Sequence, residues 1–374
     1  MKKILAILLA LAMVFAFAAC VPAADPAPAD DQDVEMEEEL DNITGKKIGF
    51  INAGPDDYYA QFGDAFKAIG EAVGFVVTEV NSDYLPEKEL ANVQDMIAQG
   101  IDAIAVITVG AAGSAASIEA AYEADVPIFF IAGKPNINEG TDLTGHVTDN
   151  FVMMGYQLGK WVAENYPDAK KIVNIPGFLG QGPAEGEIVG FDLALTEAGM
   201  DPAILTASSE WQRPLAVPIM EDLLAGPNGD FDVLFACNEE TFFGCLQVLE
   251  EQGITDKVIV SANGKDDAWP NLIDGTLAAT SPNPPSLNAD LCIQQMIAHF
   301  NGTPFEQYIQ IMPAAVLTGE NVETAVPWTV SDYLEGRAND EFMWKLSDYE
   351  ENYLANTELF ASFDEKFDAY MAAN

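Results

Sequence analysis

The chain has 374 residues, 49% of them apolar and 10% aromatic, with 16 basic against 60 acidic residues and a net charge of −44. This length exceeds one ordinary hydrophobic core and predicts two lobes. A surface this acidic, with Arg213 and Arg337 as its two arginines, repels phosphate backbones and argues against nucleic acid as a partner.

Residues 1–20 read as a leader, with a basic Lys2-Lys3 start, an apolar run from Ile4 to Ala16, and Phe17-Ala18-Ala19-Cys20 closing it. The apolar run is short for a bilayer span and ends in small residues. FAAC resembles a bacterial lipobox, with Phe where Leu is usual. It implies a lipoprotein signal peptide, with Cys20 the lipidated first residue of the mature chain and several acyl chains forming its only membrane attachment. Residues 21–45 are Pro, Ala and acid, and read as a disordered, self-repelling tether. Cys237, Cys245 and Cys292 remain. Buried free thiols are the favoured reading, and a Cys237–Cys245 bridge is the alternative.

The first folded unit organises the rest. KKIGFINA (46–53) is an apolar, β-branched strand, and Gly54-Pro55-Asp56-Asp57 breaks it. Tyr58 and Tyr59 follow, and Phe62, Phe66, Ile69 and Val73 then recur at helical spacing until Gly74. The strand thus delivers two carboxylates and two rings to its C-terminal end, where open α/β sheets hold their ligands. Strands are expected at 75–80, 102–108 (DAIAVIT), 127–132 (PIFFIA) and 143–148, with helices at 90–98, 113–124 and 151–165. The pattern restarts with strands at 171–175, 203–207, 233–237, 258–262 and 276–280. Helices at 183–198, 215–224, 241–252 and 267–274 lie between them. Pro282-Asn283-Pro284-Pro285 is expected outside any sheet, as a crossover. A helix (287–300), a strand (308–317) and an acidic, aromatic-rich helical tail from Asp332 follow. Such βα repetition predicts parallel, doubly wound sheets.

Gly180-Gln181-Gly182-Pro-Ala-Glu185-Gly186 superficially suggests a dinucleotide loop, but its spacing is one residue too long and it reads better as a cleft-edge loop. No P-loop, HExxH, GxSxG or CxxC occurs. His146 and His299 read as structural, so neither catalysis nor a metal or cofactor has a visible carrier. What recurs at strand ends is aromatic and amide: Asn52, Tyr58, Tyr59, Trp211, Asn238, Asn263 and Asn283. Rings that cover an apolar face and amides that both donate and accept suit a neutral polyhydroxylated molecule.

Five stretches carry a resemblance: Lys88 to Met96 (KELANVQDM) followed by Gly100, Thr148-Asp149-Asn150, Gly190-Phe191, Asn238-Glu239-Glu240, and 274–280 (DGTLAAT). On these the chain resembles type 1 periplasmic (extracytoplasmic) solute-binding proteins of ABC importers, close to the ribose and simple-sugar group, from about Lys46 to Leu317. The resemblance implies an α/β fold of two doubly wound parallel-sheet lobes joined by a three-segment hinge that closes on the ligand. An N-terminal lobe of 46–148 and 283–307 and a C-terminal lobe of 149–282 and 308–330 follow from it, with 331–374 as an extension. It further implies an ABC permease and an ATPase as partners. Carried over by position, Asn52, Asp56, Tyr58 and Tyr59 are first-lobe contacts, Trp211 a stacking ring, Asn238 a contact amide and Asn283 a hinge amide. Where the group has charged contacts this chain has Ala132-Gly133, Glu185 and Asn263, so bidentate clamps on hydroxyls are gone. Ribose is therefore not implied, although a sugar is. A nucleoside or cationic solute stays open, because Asp56 and Glu185 lack basic partners nearby in sequence. A sensor presenting its ligand to a membrane receptor stays open too.

Overall fold

The computed structural model describes residues 42–373. The leader, Cys20 and most of the expected tether lie outside the described residues. Within them the tether boundary at 45 is too late. Ile43 is 1% exposed in the first lobe's core, and the Gly45 N–H donates to Gly74 C=O at 2.7 Å. A single isoleucine in a polar context carries too little pattern to read.

Two parallel sheets form the chain. The first begins with β1 (Lys47–Asn52), α1 (Asp57–Ala72), β2 (Val76–Asn81), α2 (Pro86–Ala98) and β3 (Ala103–Val106). It continues through α3 (Ala111–Glu123), β4 (Ile128–Ile131) and β5 (Gly145–Asp149). The second contains α4 (Phe151–Asn165), β6 (Ile172–Ile175), α5 (Pro183–Glu197), β7 (Ile204–Leu205), α6 (Arg213–Ala225) and β8 (Val233–Ala236). It ends with α7 (Glu239–Gln252), β9 (Val258–Asn263), α8 (Trp269–Asp274) and β10 (Ala279–Pro282), before α9 (Pro285–Asn301) and β11 (Tyr308–Ile311). The strand orders are β11-β5-β4-β3-β1-β2 and β10-β9-β8-β6-β7.

The inner strands AIAV, IFFI, IVNI and VLFA are buried at every position. Continuous apolar runs of this kind belong to sheets covered on both faces. Phe50 stacks on Phe66 at 4.5 Å under α1, while its neighbour Ile51 enters the separate core of Val93, Ile104 and Phe130. The pleat thus feeds two cores from one strand. In each lobe the winding reverses at the first strand: β1 lies between β2 and β3, and β6 between β7 and β8. The loops after β1 and β6 therefore open into crevices that no connection fills. Behind β6, α4 and α5 approach closely, since a Cβ on Gly190 would overlap the Val152 carbonyl and one on Gly155 the Glu187 carbonyl.

Three further expectations are corrected. Residues 308–311, placed in the second lobe, form β11, the edge strand of the first sheet, paired in parallel with β5 from Tyr308↔His146 to Ile311↔Asp149. The chain enters the second lobe after this strand, where Leu317 bridges Thr280 antiparallel. A parallel strand returns to the sheet that its preceding helix covers, and α9 packs on β4 and β5. Pro282, expected outside the sheet, is the last residue of β10. That strand is an edge, where a missing N–H costs no ladder bond. Residues 276–278 form the turn before β10, because Gly275 is left-handed and Asp274 accepts from the Thr276 N–H at 2.9 Å. Cys237, Cys245 and Cys292 are all free and buried, as the favoured reading expects, and the alternative Cys237–Cys245 bridge does not form.

The extension comprises α10 (Val330–Ala338), α11 (Leu346–Ala355) and α12 (Thr357–Ala373). Helix α10 packs on α1 and α9 of the first lobe, where buried Asp290 accepts from Tyr333 Oη at 2.8 Å and pairs with Arg337 at 2.9 Å. Helix α12 lies on α4 and α5 of the second, burying Phe360 and Phe363 against Val152 and Met153. Beyond the three expected hinge segments, the chain thus crosses between the lobes twice more.

Candidate ligand-binding cleft

Asn52 ends β1 at the first crevice, 1% exposed. Its Nδ2 donates to the Tyr59 carbonyl at 2.6 Å and to Glu79 at 3.1 Å, while its Oδ1 is enclosed without a partner. Asp56 caps α1, one oxygen accepting from the Tyr59 N–H at 3.1 Å and the other from the Tyr84 hydroxyl. Burial raises its carboxyl above the usual range, and these hydrogen bonds only partly oppose it. Tyr58 and Tyr59 meet edge to face at 5.4 Å. Tyr58 also meets Phe62 at 5.9 Å and Trp328 at 5.5 Å, and its enclosed hydroxyl lies beside the Asn283 side chain without a hydrogen bond of good geometry.

The second lobe supplies the loop after β6. Trp211 lies where a Cβ on Gly177 would stand, and its carbonyl accepts from Asn238 Nδ2 at 3.1 Å. The same Asn238 caps α7 through the Thr241 N–H at 2.9 Å. Phe178 stacks on Tyr84 of the first lobe, ring centroids 5.3 Å apart and planes 13° from parallel. Glu185, expected as a ligand contact, has both oxygens on backbone: Gly180 N–H at 2.5 Å and Gly182 N–H at 3.1 Å. It clamps the loop and leaves Gln181 enclosed, with neither amide atom partnered.

Gly133 sits opposite. A Cβ there would stand 3.6 Å from the Gln181 carbonyl, and one on Gly110 would stand 3.2 Å from the Gly180 carbonyl, so the lobes meet through glycines. His146 Nε2 donates to the Gly133 carbonyl at 2.9 Å, and burial pushes its pKa down to about 4, so the ring is neutral and structural. His299 packs edge-on to Phe129 at 5.9 Å, also structural.

At the hinge Asn283 donates its N–H to the Asn263 carbonyl at 2.7 Å, and Trp328 Nε1 donates to that same carbonyl at 3.0 Å. Behind them Asn288 Nδ2 donates to Asp149 at 2.8 Å, and burial pushes the Asp149 pKa up to about 7. Lys265 reaches Asp57 of the first lobe at 2.6 Å while held by Asp267 at 2.8 Å and Glu240 at 3.2 Å.

The expected residues therefore converge, with roles redistributed. Asn52, Tyr58 and Tyr59 present rings and a free acceptor, Asn263 and Asn283 join at the hinge, and Trp211 and Asn238 form one unit. Asp56 and Glu185 are positioning carboxylates. Tyr84, Phe178, Gln181, Lys265 and Trp328 were not singled out from sequence as site residues. Four left-handed pairs surround the cleft: Asp83-Tyr84, Ala132-Gly133, Glu210-Trp211 and Asn263-Gly264. A non-glycine residue there costs about 1–2 kcal/mol, and no sequence pattern announces it at Tyr84 or Trp211. Among the described residues no group of three or more His, Cys, Asp or Glu could hold a metal, and no helix is long and apolar enough to cross a membrane.

The periplasmic binding protein domain family matches residues 48–304, more than half of the chain. The chain belongs to this family. Two parallel-sheet lobes around a cleft, crossed repeatedly by the chain, are the periplasmic binding protein type 1 fold. The ribose import binding protein of Escherichia coli strain K12 is 23% identical over 223 residues, 60% of this chain and 74% of that protein. The fructose import binding protein of Bifidobacterium longum is 26% identical over 282 residues, 72% of this chain and 84% of that protein. An ABC transporter solute-binding protein of Mycobacterium smegmatis, solved with bound glycerol, is 26% identical with a TM-score of 0.69. That likeness covers 75% of this chain and 96% of the other.

Proposed function

We propose that this chain is the extracytoplasmic solute-binding component of an ABC importer, capturing a neutral sugar or polyol between its lobes. A permease and an ATPase take the ligand from it, and lipidated Cys20 tethers it to the cell membrane. The observation carrying this reading is a set of enclosed polar atoms at the cleft without a hydrogen bond of good geometry, Asn52 Oδ1, Tyr58 Oη beside Asn283 and the Gln181 amide beside Tyr59, among aromatic rings. Polar atoms left unbonded cost about 1–3 kcal/mol each, and a ligand rich in hydroxyls satisfies donor and acceptor alike.

Charge narrows the class. Asp56 accepts from Tyr84 and Tyr59, and Glu185 from two backbone N–H groups, so neither is a free counter-ion for a cation. Lys265 is surrounded by three carboxylates and is no receptor for an anion. Relatives named for ribose and fructose support the sugar class. With Ala132 and Gly133 facing the cleft, a ligand bulkier than ribose is expected. Differential scanning fluorimetry across neutral pentoses, hexoses and polyols, with nucleosides, polyamines and sugar phosphates as controls, tests the reading. Stabilisation by a neutral sugar or polyol supports it, since a hundredfold excess over Kd adds about 2.7 kcal/mol. Stabilisation by the controls alone overturns it.

A further inference from the structure

We infer that Gln181 is a specificity-determining contact that reads two adjacent hydroxyls of the ligand, and that Glu185 is the residue that positions it. This rests on the sugar-binding reading above and identifies which group of the second lobe does the reading.

Three observations carry it. First, Gln181 is 5% exposed, and both polar atoms of its amide are enclosed without a partner. A buried amide is ordinarily bonded, and one with only the Tyr59 hydroxyl beside it, and no hydrogen bond of good geometry, has capacity left for a partner from outside. Second, its backbone is fixed on both sides. Gly180 and Gly182 are left-handed, with φ of 103° and 108°, and Glu185 accepts from both N–H groups. The carboxylate acts on the loop from behind, and the side chain between the two glycines is the one it presents. Third, Gln181 faces the first lobe. Its carbonyl lies opposite Gly133, and its amide lies beside the Tyr59 ring's hydroxyl without forming a well-directed hydrogen bond.

The chemistry follows from the amide's shape. Nε2 donates and Oε1 accepts within one plane, so a single Gln can satisfy two neighbouring hydroxyls, one as acceptor and one as donor. A charged clamp would bind hydroxyls, phosphates and carboxylates with less distinction. A neutral amide beside the Tyr59 hydroxyl discriminates by hydrogen-bond pattern instead. A ligand lacking one of the paired hydroxyls leaves a buried amide atom unbonded, and sites of this kind reject such analogues strongly. An ordered water would satisfy the amide equally well in the absence of any ligand contact, and the test separates these two cases.

Calorimetry with the full mature chain uses D-fructose, D-galactose, D-ribose, xylitol and myo-inositol as probes, and then the deoxy analogues of whichever binds most tightly. Gln181→Leu is expected to weaken that probe at least tenfold and to narrow the gap between the probe and one deoxy analogue. The melting temperature without ligand should stay level or rise, because an unbonded buried amide has been removed. Gln181→Met serves as the second variant should the leucine fold poorly. Glu185→Ala should weaken the same probe, and in the Gln181→Leu background it should add little, as expected of a residue acting through Gln181. Undiminished affinity in both Gln181 variants, or an unchanged preference over every deoxy analogue, overturns the inference while leaving sugar binding intact. Failure of the unmodified protein to bind any probe in the panel counts against the sugar reading itself, and this inference falls with it.

Discussion

Lys265 Nζ lies 2.6 Å from Asp57 Oδ2, an ion pair that joins the loop after β9 in the second lobe to the first turn of α1 in the first. Asp267 and Glu240 hold the same ammonium from its own lobe, at 2.8 Å and 3.2 Å. Burial lowers the lysine's pKa, but Asp267 and Asp57 outweigh it and keep the group charged. The contact exists only while the lobes are together, so it contributes to closure and to nothing else.

Asp57 is 44% exposed, which limits the pair to about 0.2–1 kcal/mol. Asp57→Asn should therefore weaken ligand affinity by up to roughly fivefold at low ionic strength. The difference should fade in high salt. Calorimetry at two salt concentrations checks this, and identical affinities at low salt would remove the pair from the closing machinery.

The Tyr84–Phe178 stack is the aromatic counterpart of that ion pair. A ring pair of this geometry adds about 0.5–1.5 kcal/mol beyond its area. Phe178→Ala should shift the unliganded protein toward a more open form, seen as a larger radius of gyration by small-angle scattering. A scattering profile indistinguishable from that of the unmodified protein would argue against this role.

Stability should rise on mild acidification. Burial raises Asp149 to about 7 and Glu239 to about 8, so each binds a proton in the folded state that the unfolded chain has released. The stability from that proton is fully present below the unfolded carboxylate range and is lost as pH climbs through the folded values. Each group loses about 1.4 kcal/mol per pH unit within its window, from about 4 to 7 for Asp149 and from about 4.5 to 8 for Glu239. His146, lowered to about 4, acts oppositely, since stability falls as pH drops from about 6.5 toward 4. The melting temperature should thus be higher near pH 6 than at pH 8, and Asp149→Asn should flatten the slope. A melting temperature that rises from pH 6 to pH 8 would refute the assignment.

Phe360 is 1% exposed against Val152 and Met153, at the point where the extension lies on the second lobe. Phe360→Ala should cost about 3 kcal/mol and lower the denaturant midpoint, whereas truncation of an ornamental tail would leave it unmoved. Urea titration distinguishes the two.

Cys20→Ser should move the mature protein from the membrane fraction to the soluble fraction while leaving its melting temperature unchanged. Retention of the variant on the membrane would reject Cys20 as the anchor.

The sequence discloses whatever is local. IFFI and VLFA announce buried parallel strands by composition, and Asn52, Asp56, Tyr58 and Tyr59 reach the cleft because they follow a strand directly. Glu185 shows where a positional carry-over misleads. Its place three residues after Gly182 is that of a helix-capping acid, and the structure uses it in that way. Gln181 lies between two glycines, and its enclosure depends on the loop's closure by Glu185, which no local pattern shows. No local pattern marks Tyr84, since its left-handed backbone and its stack on Phe178, 94 positions away in sequence, are set by the meeting of two lobes. The edge position of β11 has the same cause: which sheet a strand joins is decided by packing between distant segments, and hydrophobic pattern gives no vote to either.

The three buried thiols have a practical consequence. Burial pushes Cys237 up to about 12 and raises Cys245 and Cys292 further, so at neutral pH all three are protonated and shielded from electrophiles. A cysteine introduced by Leu179→Cys, at a position 49% exposed and adjacent to Phe178, would be the one maleimide-reactive thiol among the described residues. A solvent-sensitive dye attached there would sit at the lip of the cleft, and its emission would turn each capture of ligand into an optical signal.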